Sequence, residues 1–101
     1  MDVVDVFAHR GQVFRVLQQT ARSQTAVMTI PPGADAGPEE RHDGDQVIYV
    51  VEGEAIVRIG DREHKAGAGA LVMIPAAQLH HVRNPGRIPV FFLTVYAPPA
   101  Y

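Results

Sequence analysis

The sequence predicts a single all-β domain, a barrel or sandwich with a polar site set into one end. Three observations carry this. Nine glycines and eight prolines recur between short β-prone runs, the punctuation of a strand-and-turn protein rather than a helical one. Residues with strong helix signals are almost absent from the runs themselves. Finally, a carboxylate, two imidazoles and an amide (Glu40, His42, Gln46 and His80) fall on stretches far apart in the chain. Such side chains meet where facing strands enclose a barrel mouth, and together they suit a metal ion.

Composition narrows the classes. A chain of 101 residues supports one core. The formal net charge of −2 offers no footprint for nucleic acid. There is no cysteine, so disulfides and thiolate metal sites are excluded and any metal chemistry rests on His, carboxylate and amide groups. No apolar run approaches the roughly 20 residues that span a bilayer. The start, Met1-Asp2-Val3-Val4-Asp5, is acidic and lacks a signal-peptide core. The expectation is a cytoplasmic protein with neither a membrane nor a nucleic-acid partner.

Taken in order, residues 1–11 suit either a short helix or an added edge strand. Strands are expected over Gln12–Thr20, Gln24–Pro31, Asp45–Val51, Glu54–Ile59, Arg62–Lys65, Ala70–Ile74, Gln78–Arg83 and Pro89–Tyr96. Glu52-Gly53-Glu54 separates two of them, and Gly60-Asp61 closes a tight hairpin. Pro31-Pro32-Gly33 stops the second run, and the polar stretch Ala34–Glu40 leads into the site. The tail, residues 97–101, holds two prolines and cannot join a central sheet, because each proline removes a donor.

Side chains two apart on a strand share a face. Glu40, His42 and Gln46 therefore point one way, unless Asp43-Gly44 bulges, and Ile48 and Val50 continue that face as pocket wall. Val47, Tyr49 and Val51 are apolar on the other face, which must then pack on another sheet or another subunit. On the seventh run His80 shares a face with Gln78, Val82 and Asn84, and His81 points away. Val82 joins Ile48 and Val50 as expected wall.

The spacing resembles the two motifs of the cupin superfamily, small β-barrels of jelly-roll type. The second motif reads G-x5-P-x-G-x2-H-x3-N, and Gly69, Pro75, His80 and Asn84 hold those positions, with Ala77 where a glycine is usual. This match selects His80 over His81. The first motif reads G-x5-H-x-H-x3-E-x6-G. Aligned on Gly53, Gln46 takes the Glu position, His42 the second His and Glu40 the first, with Gly33 one residue early. The resemblance implies a small single-domain jelly roll with an altered first motif. It implies activity weakly, since this fold hosts oxygenases, decarboxylases, isomerases, lyases, binding proteins and storage proteins.

Two imidazoles with one carboxylate, and the Gln46 oxygen as a neutral fourth donor, suit one divalent ion per chain: Fe, Mn, Ni, Co or Zn. Alone, each of these residues has a bland role, a hydrogen-bonded core histidine or a loop carboxylate; their joint spacing favours the site. The expected function is a metal-dependent enzyme of dioxygenase, lyase or isomerase type acting on a small oxygen-bearing molecule. The alternative is a non-catalytic binding or sensor module for a small ligand. Tyr49 and Tyr96 are assigned to packing, Arg15 and Arg83 to solvent, Asp43 and Asp45 to the turn, and His9 and His64 carry no role. The doubly apolar third strand and Phe91-Phe92-Leu93 imply a homodimer.

Overall fold

A computed structural model describes residues 1–101. It contains eight strands: β1 Phe14–Gln19, β2 Gln24–Ile30, β3 Asp45–Glu52, β4 Glu54–Ile59, β5 Arg62–Gly67, β6 Leu71–Ile74, β7 His80–Arg83 and β8 Val90–Ala97. All eight expected strands form. Two antiparallel sheets face each other, one ordered β1-β2-β8-β3-β6 and the other β5-β4-β7. Residues 1–11 hold a single 3-10 turn, Val6–His9, capped by the Asp5 carboxylate accepting from the Phe7 N–H at 3.0 Å. No helix is long and apolar enough to cross a membrane.

Alternation decides the core. On β3 the buried residues are Gln46, Ile48 and Val50, paired across to Tyr96, Thr94 and Phe92 on β8. Ala55 and Val57 of β4, Ala66 of β5 and Val82 of β7 close over this face from the second sheet, with Ile30, Ile74 and Val90 completing the packing. The apolar half of this interior lies toward the Gly53 end. The polar half, with Gln24, Gln46, His80 and Thr94 all buried, lies where β3 and β7 begin and β8 ends.

The outer face of the five-stranded sheet is covered in part by the N-terminal segment. Gln18 Nε2 donates to the Asp2 carbonyl at 2.9 Å, the Gly11 N–H donates to Thr29 Oγ1 at 3.1 Å, and Arg10 pairs with Glu52. A bulge between Val50 and Glu52 turns the Glu52 side chain to this outer face, which is what lets Arg10 reach it. Under this strap Val27 and Phe91 are buried although they point outward. Beyond it, Tyr49, Leu71 and Met73 stay exposed side by side. Of the two coverings expected for this face, another sheet or another subunit, the first is corrected: a loop covers one half, and nothing within the chain covers the other.

Backbone geometry explains several motif residues. Gly53 has a φ of 81°, and a Cβ there would stand 2.5 Å from the Pro89 carbonyl oxygen. Asn84 is no ligand: its Nδ2 donates to the carbonyls of Ile30 and Ile88, and its Oδ1 accepts from the Gly86 N–H. Ala77, standing where the motif has glycine, sits at a φ of 67°, a conformation that costs an L-residue about 1–2 kcal/mol. Ala77→Gly should therefore raise the unfolding free energy by about 1 kcal/mol, read as a higher urea midpoint at unchanged slope. Gly53→Ala should lower it, since the backbone oxygen in its path cannot rotate aside.

Candidate metal centre

The polar segment before β3 runs back along β7. The Gly33 N–H donates to the Asn84 carbonyl, Ala36 to Val82, and Glu40 and His80 exchange both backbone hydrogen bonds at 3.0 and 2.9 Å. An antiparallel pair bonded in this way sets its two side chains beside each other on one face. The loop after β6 is tied in as well. The Ala77 N–H donates to the His42 carbonyl at 2.8 Å, and the Ala76 N–H to Asp45 Oδ1 at 3.0 Å. Asp45 thus braces the turn, as expected, and the two motifs are laced into one wall.

These elements enclose a cavity of about 220 Å³ at the polar end of the barrel. Glu40, His42, Gln46 and His80 all line it. Its apolar wall is Phe14, Met28, Val82 and Phe92, and Thr94, Tyr96 and Tyr101 add polar edges. Val82 is therefore wall. Ile48 and Val50 are not: they point inward but are sealed in the core, and at their level it is their β8 partners Thr94 and Phe92 that reach the cavity. On β8 the inward residues are Phe92, Thr94 and Tyr96, while Phe91 turns outward. Arg15 projects from the outer face, and Arg83 pairs with Glu63 at 3.7 Å on the outside of the smaller sheet. His81 alternates away from His80, with its Nε2 3.3 Å from Asp35 Oδ2, although it still borders the cavity.

The ring nitrogens can be assigned from their partners. His80 Nδ1 lies 3.0 Å from the Gln78 carbonyl, which can only accept, so Nδ1 carries the proton and Nε2 keeps its lone pair. His42 stands 5.3 Å from His80, ring centre to ring centre, with its Nε2 3.5 Å from Glu40 Oε2. Burial, then the neighbouring His80, holds the His42 pKa below the usual histidine value, against a smaller upward pull from Glu40 and Asp43. Burial pushes the Tyr96 phenol up to about 12. Tyr101 is also raised, first by burial and then by its hydrogen bond to Glu40.

Gln46 supplies the most telling atom. Its Nε2 donates to Thr94 Oγ1 at 3.0 Å, which orients the amide, and its Oε1 is buried with no hydrogen-bond partner at all. Leaving such an acceptor bare costs about 1–3 kcal/mol. Such an oxygen can accept a hydrogen bond or coordinate a cation. No three His, Asp or Glu side chains stand together as a ready-formed metal cluster, and the Glu40 carboxylate is engaged by the Tyr101 hydroxyl at 2.8 Å. An orphaned amide oxygen, an imidazole with a free Nε2 and a second imidazole kept neutral nevertheless form a donor set that fits a divalent transition ion, with Glu40 as the carboxylate at its outer edge.

Sequence reasoning missed Tyr101, Phe14 and Met28, which reach the cavity from the tail, β1 and β2. The only signal for Tyr101 was an aromatic residue after two prolines, which says nothing about where the tail goes.

The depressed His42 value carries a stability consequence. With its pKa lower in the folded chain, the unfolded chain binds more protons between the two values, so stability rises with pH across that window. In chelator-treated protein the melting temperature should fall as pH drops through the ordinary histidine value of 6.5, and the fall should end below the folded-state value. His42→Asn should flatten that dependence.

The fold has clear counterparts. The crystal structure of BH2720 from Bacillus halodurans superposes with a TM-score of 0.88 at 31% identity, covering 98% of this chain and 82% of that one. TT1209 from Thermus thermophilus gives 0.83 at 29% identity, covering 97% and 98%. The uncharacterized protein YrkC of Bacillus subtilis is 28% identical over 97 residues, covering 89% of this chain but 52% of YrkC. The chain spans about half the length of the curated relatives it matches. Residues 26–96, from within β2 nearly to the end of β8, match the family model described as Cupin domain (Cupin_2); with the jelly-roll architecture and the second motif in place, this chain belongs to the cupin family.

Proposed function

We propose that the cavity holds one divalent transition-metal ion per chain through His42, Gln46, His80 and Glu40, and that it acts on a small oxygen-bearing molecule. The observation that carries this is the buried, unpartnered Gln46 Oε1 in the cavity that His80 also lines, the His80 Nδ1 being already spent on the Gln78 carbonyl. Fe, Mn, Ni, Co and Zn all suit this nitrogen and oxygen set. Such an ion supplies Lewis acidity toward a carbonyl, carboxylate or enediol oxygen, or, as iron, reactivity toward dioxygen.

The remaining residues define what can bind. A volume of about 220 Å³ is below the usual range for drug-sized ligands, so the guest is small. Phe14, Met28, Val82 and Phe92 favour an apolar body and exclude water around it. No arginine or lysine lines the cavity, so the protein itself offers no fixed cation to an anionic group. Tyr96, protonated at neutral pH, is a hydrogen-bond donor for an oxygen of the guest.

A second reading is favoured by one observation: Glu40 is turned to Tyr101 and no three-residue His/Asp/Glu cluster is preformed. On that reading the barrel is a binding or sensor module whose cavity takes a small ligand without turnover. Elemental analysis separates the two. About one metal equivalent per chain is expected as isolated or after reconstitution, falling to background in His80→Ala and reduced in Gln46→Ala. No metal under either condition would sink the first reading and leave the second. Iron would direct assays to oxygen consumption, and manganese, nickel, cobalt or zinc to lyase and isomerase panels.

The uncovered patch of Tyr49, Leu71 and Met73, flanked by Val47, Leu93 and Val95, supports a homodimer through the outer face of the larger sheet. Sedimentation at micromolar concentration should give a dimer for the wild type and a monomer for Leu71→Glu. A monomeric wild type would refute the pairing.

A further inference from the structure

The tail after β8 folds back across the cavity mouth. Its path depends on Gly44, where a Cβ would overlap the Ala97 carbonyl oxygen and the Pro98 ring, so only glycine lets the chain turn over the start of β3. The end of the tail is gripped by Gln24 of β2, itself 1% exposed. Gln24 Oε1 accepts from the N–H groups of Ala100 at 3.2 Å and Tyr101 at 3.1 Å, and its Nε2 donates to the Tyr101 carbonyl at 2.7 Å. A buried amide committed in this way loses three partners if the tail lifts, leaving its oxygen unsatisfied while Nε2 keeps only its bond to Gln19 Oε1 at 2.8 Å. What the grip holds in place is the Tyr101 side chain. Its hydroxyl donates to Glu40 Oε2 at 2.8 Å, and its ring packs 4.9 Å from Phe14, 5.3 Å from Tyr96 and 5.8 Å from His42, centre to centre.

We propose that Tyr101 is a positioning residue of the cavity, holding the Glu40 carboxylate and barring the mouth, and that Gln24 is the lock that keeps it there. The effect on a bound ion rests on the metal-holding reading above; the barring of the mouth rests on the tail geometry alone. The phenol holds Glu40 Oε2 where it lies 3.5 Å from His42 Nε2, and so keeps the carboxylate near its present rotamer. Any guest passes the Tyr101 ring, and the passage is set by how often Gln24 releases the tail.

Two measurements on the full chain test this. Co(II) is titrated into wild type and Tyr101→Phe, which keeps the ring and drops only the hydroxyl. About tenfold weaker binding is expected, the lower end for losing a partner of a metal ligand, at unchanged melting temperature. Wild-type affinity in Tyr101→Phe would overturn the positioning role. The other measurement needs no metal: the rate at which diethyl pyrocarbonate modifies His42, resolved by mass spectrometry, with the exposed His64 as internal standard. Tyr101→Ala and Gln24→Ala should each speed His42 modification severalfold and leave His64 unchanged. Wild-type rates at His42 in both would overturn the barrier. If wild type takes up no Co(II), the metal reading fails and the His42 rates alone decide this proposal. If Gln24→Ala does not fold, Tyr101→Ala decides the arm, because that residue is 55% exposed and the core does not depend on it.

Discussion

Two backbone hydrogen bonds between Glu40 and His80 set the geometry on which the site depends. They bring a residue from the long polar connection against the first residue of β7, and so place side chains from both motifs on one wall. The same connection is bonded to β7 at Gly33, Ala34 and Ala36, so it behaves as an irregular extra strand at the edge of the smaller sheet. Cross-links from Ala76 and Ala77 then hold the turn before β3. Without this lacing, Glu40 and His42 would belong to a surface loop, and Gln46 and His80 would be isolated polar residues in an apolar barrel.

The interior is divided along the barrel axis, and the division follows hydrogen-bonding capacity. At the Gly53 end the facing side chains are aliphatic and pack without polar atoms. At the other end Gln24, Thr94 and His80 are buried with partners for their polar groups, as burial requires. Gln46 Oε1 is the exception. The one buried side-chain oxygen left bare thus lines the same cavity as the two imidazoles, where a guest could satisfy it.

The outer face shows the same economy of means. One bulged residue pair on β3 sends Glu52 outward, Arg10 follows it, and the N-terminal segment is drawn across β8 and β2. That strap buries Phe91 and Val27, which strand alternation alone would leave on the surface. It stops short of β6, and the apolar patch that remains is where the chain's own supply of covering residues runs out.

The strand plan was legible in the sequence because it rests on local chemistry: glycines and prolines that end strands, and alternation that gives each strand an inner face. The same alternation put Gln46 inside and His81 outside, and the spacing of Gly69, Pro75, His80 and Asn84 picked out the second motif. Other features depend on contacts between residues distant in sequence, which no local pattern encodes. The packing of one sheet on the other decided that Ile48 and Val50 are core while Phe14, Met28 and Phe92 reach the cavity. The bulge after Val50, invisible to a period-two count, reversed the face of Glu52. Above all, Tyr101 meets Glu40 only because Gln24, 77 residues earlier, holds the tail. Local chemistry along the chain settles which residues face inward; the packing of one sheet on the other settles which of them meet at the cavity.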